Sequence, residues 1–596
     1  MPRKLTKSQL KQEIQRNLSI TSNIGIISAN AGTGKSTMMV EHSVDYARNN
    51  KPVVILQETI DLINETESNL NEEIERVKAW NVSVHKFHSN TGRGTVYAQV
   101  TNHINKNRAT AFNEILIMSR EMFFQLRSEH YNLDGYICYH DEFLEAFVEK
   151  KLLTGWESKK SFEKLIAVKE QKHGVFETWD RVVGSDELEQ IIEKNYNDYI
   201  INSLNEDGVL KLLLSSRAGY CDVYVSKNRK KLFALIRPEM FGCFREVFFL
   251  GAKYEYHEMH WFWSKWEAVM NKKIHIFDLA SLGSKDHQLE NTPSKANVEL
   301  AYINDYRWSS DMKLKSHAIS ESIVSTLNAY YSGENYLLSE EKDVFKRCMF
   351  DLEMFEQHRY NHSVIRTGAT LIGTKVAGIN KYREDLNAAF LSPMSRSDEY
   401  YKAAIDLFLS YENTKGNVII TEDSINQVHL LQLHCNIAYY AYQFMFRTMI
   451  RQYDSAHCAK FFVGTRELAE VLVSMIDCDS PIALKRIRKR LEGDTDTSQC
   501  YSVRGSCKDI LERCAKQERK EIKKFINKVK RQLNDWARKR KSLSENDKTA
   551  LSSALSLITN SIKSIDQSSA VFEAALNDTK CVWELYRPDV EFPVFL

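Results

Sequence analysis

A chain of 596 residues is too long for one hydrophobic core and implies about three or four domains. With 43% hydrophobic and 27% charged residues the composition is that of an ordinary globular protein, and only 8 Pro and 22 Gly favour helix over a turn-rich β architecture. A net charge of +2 names no partner; the start, Met1-Pro2-Arg3-Lys4, lacks the apolar stretch of a secretory signal, and no run of about 18 apolar residues is present to span a membrane. The eleven cysteines are an odd number scattered from Cys138 to Cys581, as expected for reduced thiols in a cytoplasmic protein.

Residues 1–20 read as a short helix leading into an apolar strand, Ile24-Gly25-Ile26-Ile27. The strand runs into Ser28-Ala29-Asn30-Ala31-Gly32-Thr33-Gly34-Lys35-Ser36-Thr37, with a helix expected from near Met38. Strand, small-residue loop, Gly-Lys-Ser and helix make a P-loop, with Ala29 where the first glycine is usual. Glycines let backbone N–H groups turn toward a phosphate, and the helix dipole adds to the attraction. Gly32, Thr33, Gly34 and Thr37 would cradle the phosphates of ATP, Lys35 would reach the β/γ-phosphates, and Ser36 would ligand Mg²⁺.

Further strands are expected at Val53–Leu56, Ile115–Met118 and Tyr136–His140, each followed by a helix or turn. Strands alternating with helices after a P-loop imply a parallel α/β sheet with ligands at the strands' carboxyl ends. Asp141-Glu142 closes the last of these strands about a hundred residues after the P-loop, where an ATPase needs one carboxylate to hold Mg²⁺ and a second to polarise the attacking water. Two solvated acids capping a helix are the plainer alternative.

From about 150 to 210 the pattern reads as charged helices, followed by a hairpin of Asp222–Ser226 and Leu232–Ile236. Residues 150–240 are taken as an insertion in the first core domain, whose sheet resumes at Glu246–Leu250. His257-Glu258-Met259-His260 has its histidines three apart, not the four a zinc-protease helix requires, and beside Trp261-Phe262-Trp263 it reads as a packed aromatic helix. After the turn at 281–287, strand candidates are Val298–Ile303, Asn335–Leu338, Ala369–Gly373, Ala388–Leu391 and Lys460–Val463, with a long helix over Ile425–Gln452.

No strand pattern is seen after Pro481, where positive charge gathers: Lys485 to Arg490 reads Lys-Arg-Ile-Arg-Lys-Arg, and residues 508–541 hold 14 Lys/Arg against 5 Asp/Glu. Ile522, Phe525, Ile526, Val529, Leu533 and Trp536 recur at helical spacing, giving a helix with one packing face and one basic face. That face is either a solvated surface over the second core domain or a phosphate-tracking one. Cys500, Cys507 and Cys514, seven apart, suit a helix face better than a zinc site.

The order of these motifs resembles superfamily 2 helicases and translocases of the DEAD/DEAH kind. That resemblance implies two tandem RecA-like P-loop domains, parallel sheets flanked by helices, with MgATP hydrolysed in the cleft between them. The expected division is 1–285, 286–480 and a basic helical region at 481–596. Val53–Thr59 looks like the first nucleic-acid-contacting motif and Ile117–Met122 like the later one. Leu250-Gly251-Ala252-Lys253 stands in the place of the Ser-Ala-Thr motif, without its hydroxyls. Gly373–Asn380 looks like the fifth motif, placing Gly378 and Asn380 at the nucleotide, with Asn380 in place of Asp. Gln443–Arg451 looks like the arginine-finger motif, with Phe446 where glycine is usual and Arg447 and Arg451 as the fingers. On a helix the two arginines could equally be a solvated i, i+4 face. Glu142, Arg447 and Arg451 are thus the expected catalytic residues, with Ser36 and Asp141 at the metal.

The implied partner is nucleic acid, DNA more than RNA. A nucleotide-switched nucleic-acid-binding scaffold and an origin-binding replication initiator are the alternatives. The divergent motifs and the Asn, Lys and Tyr content point to a phage or mobile-element source.

Overall fold

The computed structural model describes residues 3–4, 24–89, 95–106, 112–128, 131–152, 156–188, 208–270, 275–277, 294–304, 317–339, 369–372, 382–487 and 523–587, with a few short interruptions. Contacts divide the chain into two compact units, Met1–Ser502 and Val503–Leu596.

The first unit contains two parallel sheets. Seven strands form the first, in the order His275–Phe277, Ile24–Ser28, Glu246–Gly251, Ile137–Asp141, Val53–Gln57, Glu114–Ser119 and Ser83–Phe87. Every pairing among them is parallel. The central strands are apolar throughout because helices cover both faces; Val53, Val54, Ile55 and Leu56 have no solvent exposure. The helices Lys35–Arg48 and Ile60–Val77 contribute Met38, Met39, Val44, Ile63, Leu70 and Ile74 to the core over this sheet.

Six strands form the second sheet, in the order Ala369–Ile372, Tyr336–Ser339, Ala388–Phe390, Cys458–Thr465, Asn297–Asn304 and Ala483–Arg486. It too is parallel. Two parallel sheets with flanking helices are the RecA-like architecture expected. Ala483–Arg486 departs from the expectation that no strand follows Pro481. It is an exposed edge strand, so it carries lysine and arginine where a buried strand would carry valine.

A five-stranded antiparallel sheet, ordered Phe147–Lys151, Lys231–Ile236, Cys221–Ser226, Thr178–Gly184 and Ile166–His173, is inserted in the first domain. The hairpin over 221–236 is as expected. The charged helices expected over 150–210 are in part strands: Ile166–His173 is a sheet edge with most side chains in water, so its charges hide any alternation. Short helices at Trp156–Lys164 and Val209–Arg217 remain. The strands Ser83–Phe87 and His275–Phe277 also escape the sequence pattern, being short edges of the first sheet.

The helix expected over Ile425–Gln452 begins at Glu422 under a Thr421 cap and ends at Met445, with π-helical geometry from Leu430 to Ala438. Met449–Arg451 is a separate 3₁₀ turn. Arg447 and Arg451 therefore do not share a helix face. Glu258–Met270 is the aromatic helix expected, with Trp261, Phe262 and Trp263 buried.

In the second unit, a helix over 523–538 buries Ile526, Val529 and Leu533. Val529 and Leu533 pack with Leu551 and Leu555 of Glu545–Ser561 and Trp583 of Ser569–Tyr586. Its apolar face is thus covered within its own unit. Lys528, Arg531 and Arg538 are exposed. Residues 1–2, 5–23, 281–287, 373–380, Cys500, Cys507, Cys514 and Ile522 lie outside the described residues, so the leading helix, the fifth motif with Gly378 and Asn380, and the cysteine spacing do too. Among the described residues, no helix is long and apolar enough to cross a membrane.

Candidate active site

The P-loop has the backbone its sequence calls for. Gly32 and Gly34 have φ of 85° and 82°, a region that side chains resist. Gly34 caps the following helix, which begins at Lys35 and not near Met38; Ser36 and Thr37 lie exposed in its first turn. Small side chains and a left-handed glycine let the chain enter the helix three residues early. Thr33 is fully buried and its hydroxyl donates to the Asn30 carbonyl at 2.8 Å. Lys35 Nζ donates to the Ala29 and Asn30 carbonyls at 3.0 and 2.7 Å, which holds the ammonium within the loop.

One strand, Glu246–Gly251, separates the P-loop strand from the strand that ends in Asp141. Gly251 is opposite Ser28, and Leu250 is opposite Asp141. The carboxyl ends of all three strands therefore meet at one edge, where ligands of parallel sheets bind. Gly251 is required there by a close approach: a Cβ on it would fall 2.3 Å from the Phe143 ring. Its carbonyl also accepts from the Ala29 amide at 3.2 Å.

Asp141 is buried deeply enough to push its pKa up to about 6, and neighbouring Glu142 adds to the rise. The Gln57 amide hydrogen-bonds this carboxylate and donates to Thr66 Oγ1 at 2.8 Å. Gln57 is fully buried, so this residue of the expected nucleic-acid motif faces the core of the site instead. Glu142 has φ of 78°, turning the chain sharply after the strand. Arg120 Nη2 donates to the Asp141 carbonyl at 2.7 Å, which commits its guanidinium to the carboxylate loop.

The second sheet's domain closes over this edge. A cavity of about 560 Å³ is lined by Gly32, Gly34, Lys35, Ser36, Thr37, Asp141 and Glu142 from one side and by Gln443, Phe446 and Arg447 from the other. Phe446, where glycine is usual, thus forms part of the wall. Arg447 is only 7% exposed, and its Nε is buried with no hydrogen-bond partner. Burial opposes its charge, while Glu142, Tyr439 and Asp141 favour it. Arg451 is placed in the 3₁₀ turn, but its side chain is outside the described residues.

Sequence reading missed three contacts across the cleft. Asp477, just past the helix Arg466–Met475, accepts from Asn30 Nδ2 at 3.1 Å and pairs with Lys253 Nζ at 3.0 Å. Tyr442 OH accepts from the Ala31 amide at 3.4 Å. Further back, Glu258 is buried, binds Arg396 at 3.1 Å and accepts from Tyr400 OH at 3.1 Å. A buried Glu at the first turn of an aromatic helix is a signal of pairing that the sequence did carry.

No protein-family model matches the chain, and no curated protein does either. Solved structures with similarity include a variant of S. cerevisiae Dbp5 bound to RNA and ADP–BeF3. It is 9% identical with a TM-score of 0.33, over 84% of this chain and 93% of that one. The ATP-dependent Type ISP restriction-modification enzyme LlaBIII, bound to DNA, is 10% identical with a TM-score of 0.30, over 98% of this chain and 40% of that one.

Proposed function

We propose that this chain is a nucleic-acid-dependent ATPase that works as a helicase or translocase. The observation that carries the reading is Arg447: a buried guanidinium with an orphaned Nε, delivered by the second domain into a cavity walled by a P-loop and two carboxylates. A buried polar atom without a partner costs on the order of 1–3 kcal/mol, which an anionic ligand in the cavity would recover. The cavity volume lies within the usual range for small-ligand sites.

The residues present fit MgATP. Gly32, Thr33, Gly34 and Thr37 would hold the phosphates by backbone and hydroxyl donors, and Lys35 would leave the loop carbonyls for phosphate oxygens. Ser36 and Asp141 would hold the metal, which neutralises phosphate charge when bound. Glu142 would orient water and accept its proton, and Arg447 would meet the charge that develops on the transferred group. Because Arg447 comes from the second domain, hydrolysis becomes contingent on cleft closure. Arg451, whose side chain lies outside the described residues, and Gly378 and Asn380, which lie outside them entirely, are proposed as further nucleotide contacts on the motif resemblance alone.

Removing the finger tests this. Arg447→Ala should lower kcat by about 10³-fold while nucleotide affinity changes only a few-fold. A kcat within a few-fold of wild type would remove Arg447 from the mechanism. A pH dependence follows from Asp141. Its carboxyl is neutral below about 6, so the Mg²⁺ concentration giving half-maximal activity should rise as pH falls through that value. A flat Mg²⁺ requirement would take Asp141 out of the metal site.

A scaffold that uses nucleotide as a switch is the second reading. It is favoured by Lys253, which stands where hydroxyls are usual and is paired with Asp477 across the cleft. ATPase rates against single-stranded DNA, duplex DNA and RNA separate the two. Stimulation by any of them supports the motor, and flat rates with nucleotide bound support the switch.

A further inference from the structure

At the far edge of the first sheet, five strand spacings from the P-loop strand, three side chains with metal-binding atoms converge. Ser83–Phe87 pairs in parallel with Glu114–Ser119, Ser83 opposite Glu114 and His85 opposite Leu116. Side chains alternate along strands, so His85 and Glu114 share one face, two positions apart. The helix Val96–Lys106 brings His103 to the same point. His103 Nε2 lies 2.9 Å from Glu114 Oε2, and its ring centroid is 4.4 Å from that of His85. One donor atom from each of the three residues falls within 4.8 Å of the others. Glu114 is buried, and its other oxygen accepts from the buried hydroxyl of Tyr136.

We propose that His85, His103 and Glu114 form a zinc site, with the Tyr136 hydroxyl orienting the carboxylate. Two imidazole nitrogens and one carboxylate oxygen are a borderline donor set that suits Zn²⁺, with water completing the tetrahedron. Zinc–nitrogen bonds of about 2.0–2.1 Å put tetrahedral donors about 3.3 Å apart, so binding would open the 2.9 Å His103–Glu114 contact slightly and draw the trio in from its spread of up to 4.8 Å by side-chain rotation. The hydrogen bond from Tyr136 to the second carboxylate oxygen is the kind of support that fixes a ligand's orientation and raises its affinity. Bound there, the ion ties the edge strand, the helix that carries His103 and the next strand together. It protects an exposed sheet edge and takes no part in the nucleotide chemistry, so the proposal stands apart from the ATPase reading.

The test uses the full chain, freed of metal by a chelator and titrated with Zn²⁺ against a chromophoric competitor. Co²⁺ serves as a spectroscopic probe for four-coordinate ligand-field bands. One tight equivalent per chain is expected. His85→Ala, at a half-buried position that spares the core, should weaken it at least tenfold. His85→Ala with His103→Ala should abolish it, and Tyr136→Phe, which keeps every ligand, should weaken it about tenfold. Zn²⁺ should raise the melting midpoint of the wild type and leave that of His85→Ala nearly unmoved. Absence of a tight equivalent in the wild type would overturn the proposal. So would unchanged affinity in His85→Ala, which would move the ion to cysteines or elsewhere.

Discussion

On the proposed ATPase reading, Lys35→Ala is expected to abolish ATP hydrolysis and to leave the protein folded. The side chain's hydrogen bonds are to the Ala29 and Asn30 carbonyls of its own loop, at a partly exposed position, so its removal strips the cavity of its ammonium without opening the core. Loss of a preorganised group facing transition-state charge costs about 10² to 10³-fold in rate at least. Turnover should therefore drop to background while the thermal melt shifts little. Wild-type hydrolysis in the variant would end the P-loop assignment. An unfolded variant would be resolved by Lys35→Met, which keeps the stem in place and removes only the charge.

Asp406→Ala is expected to release the inserted sheet from the second domain. Asp406 has no solvent exposure. It accepts from the amides of Val175, Phe176 and Glu177 at 2.7, 3.1 and 3.0 Å and from Trp179 Nε1 at 2.9 Å. Lys172 Nζ adds a bond to the Leu407 carbonyl at 2.5 Å. Gly174 is needed here, since a Cβ on it would lie 2.1 Å from the Asp406 carboxyl carbon. Burial pushes the Asp406 pKa up to about 6 even against these donors, so the carboxylate is ionised at neutral pH. Removing it orphans four donors at once, and the local penalty is about 3 kcal/mol. Hydrogen exchange at Val175, Phe176 and Glu177 should quicken about 100-fold. Unchanged exchange would mean that the sheet alone holds the turn. Asp406→Asn, which keeps the shape and loses the charge, should fall between.

Nearly every strand of the two parallel sheets was legible because each is a short apolar run after a turn signal, and burial on both faces demands that composition. The strands of these two sheets that escaped, Ser83–Phe87, His275–Phe277 and Ala483–Arg486, are edges, where water on one side licenses the polar residues that break the pattern. In the inserted sheet both the edge Ile166–His173 and the interior Thr178–Gly184 escaped. Within the site, Lys35, Asp141 and Glu142 were readable from local chemistry, since a loop and a strand end announce themselves. The long helix was read past its end because the apolar period runs on through Phe446 and Ile450, both buried, although the backbone turns. Asp477 and Asp406 carried no signal. Each is a lone acid whose partners, Lys253 and the 174–179 turn, are 224 and about 230 positions away, and no local pattern encodes such a distance.

The place of the P-loop strand in its sheet governs when the site can exist. Ile24–Ser28 pairs with Glu246–Gly251 and His275–Phe277, both more than two hundred residues later in the chain. During synthesis the whole P-loop sequence is made more than two hundred residues before either strand that pairs with its own. The antiparallel insertion must be made before Glu246–Gly251 arrives to seat the loop, and Arg447 follows about two hundred residues after that. A fragment ending before residue 246 would therefore hold the complete P-loop sequence without the strand that seats it, and on the proposed reading should not bind nucleotide.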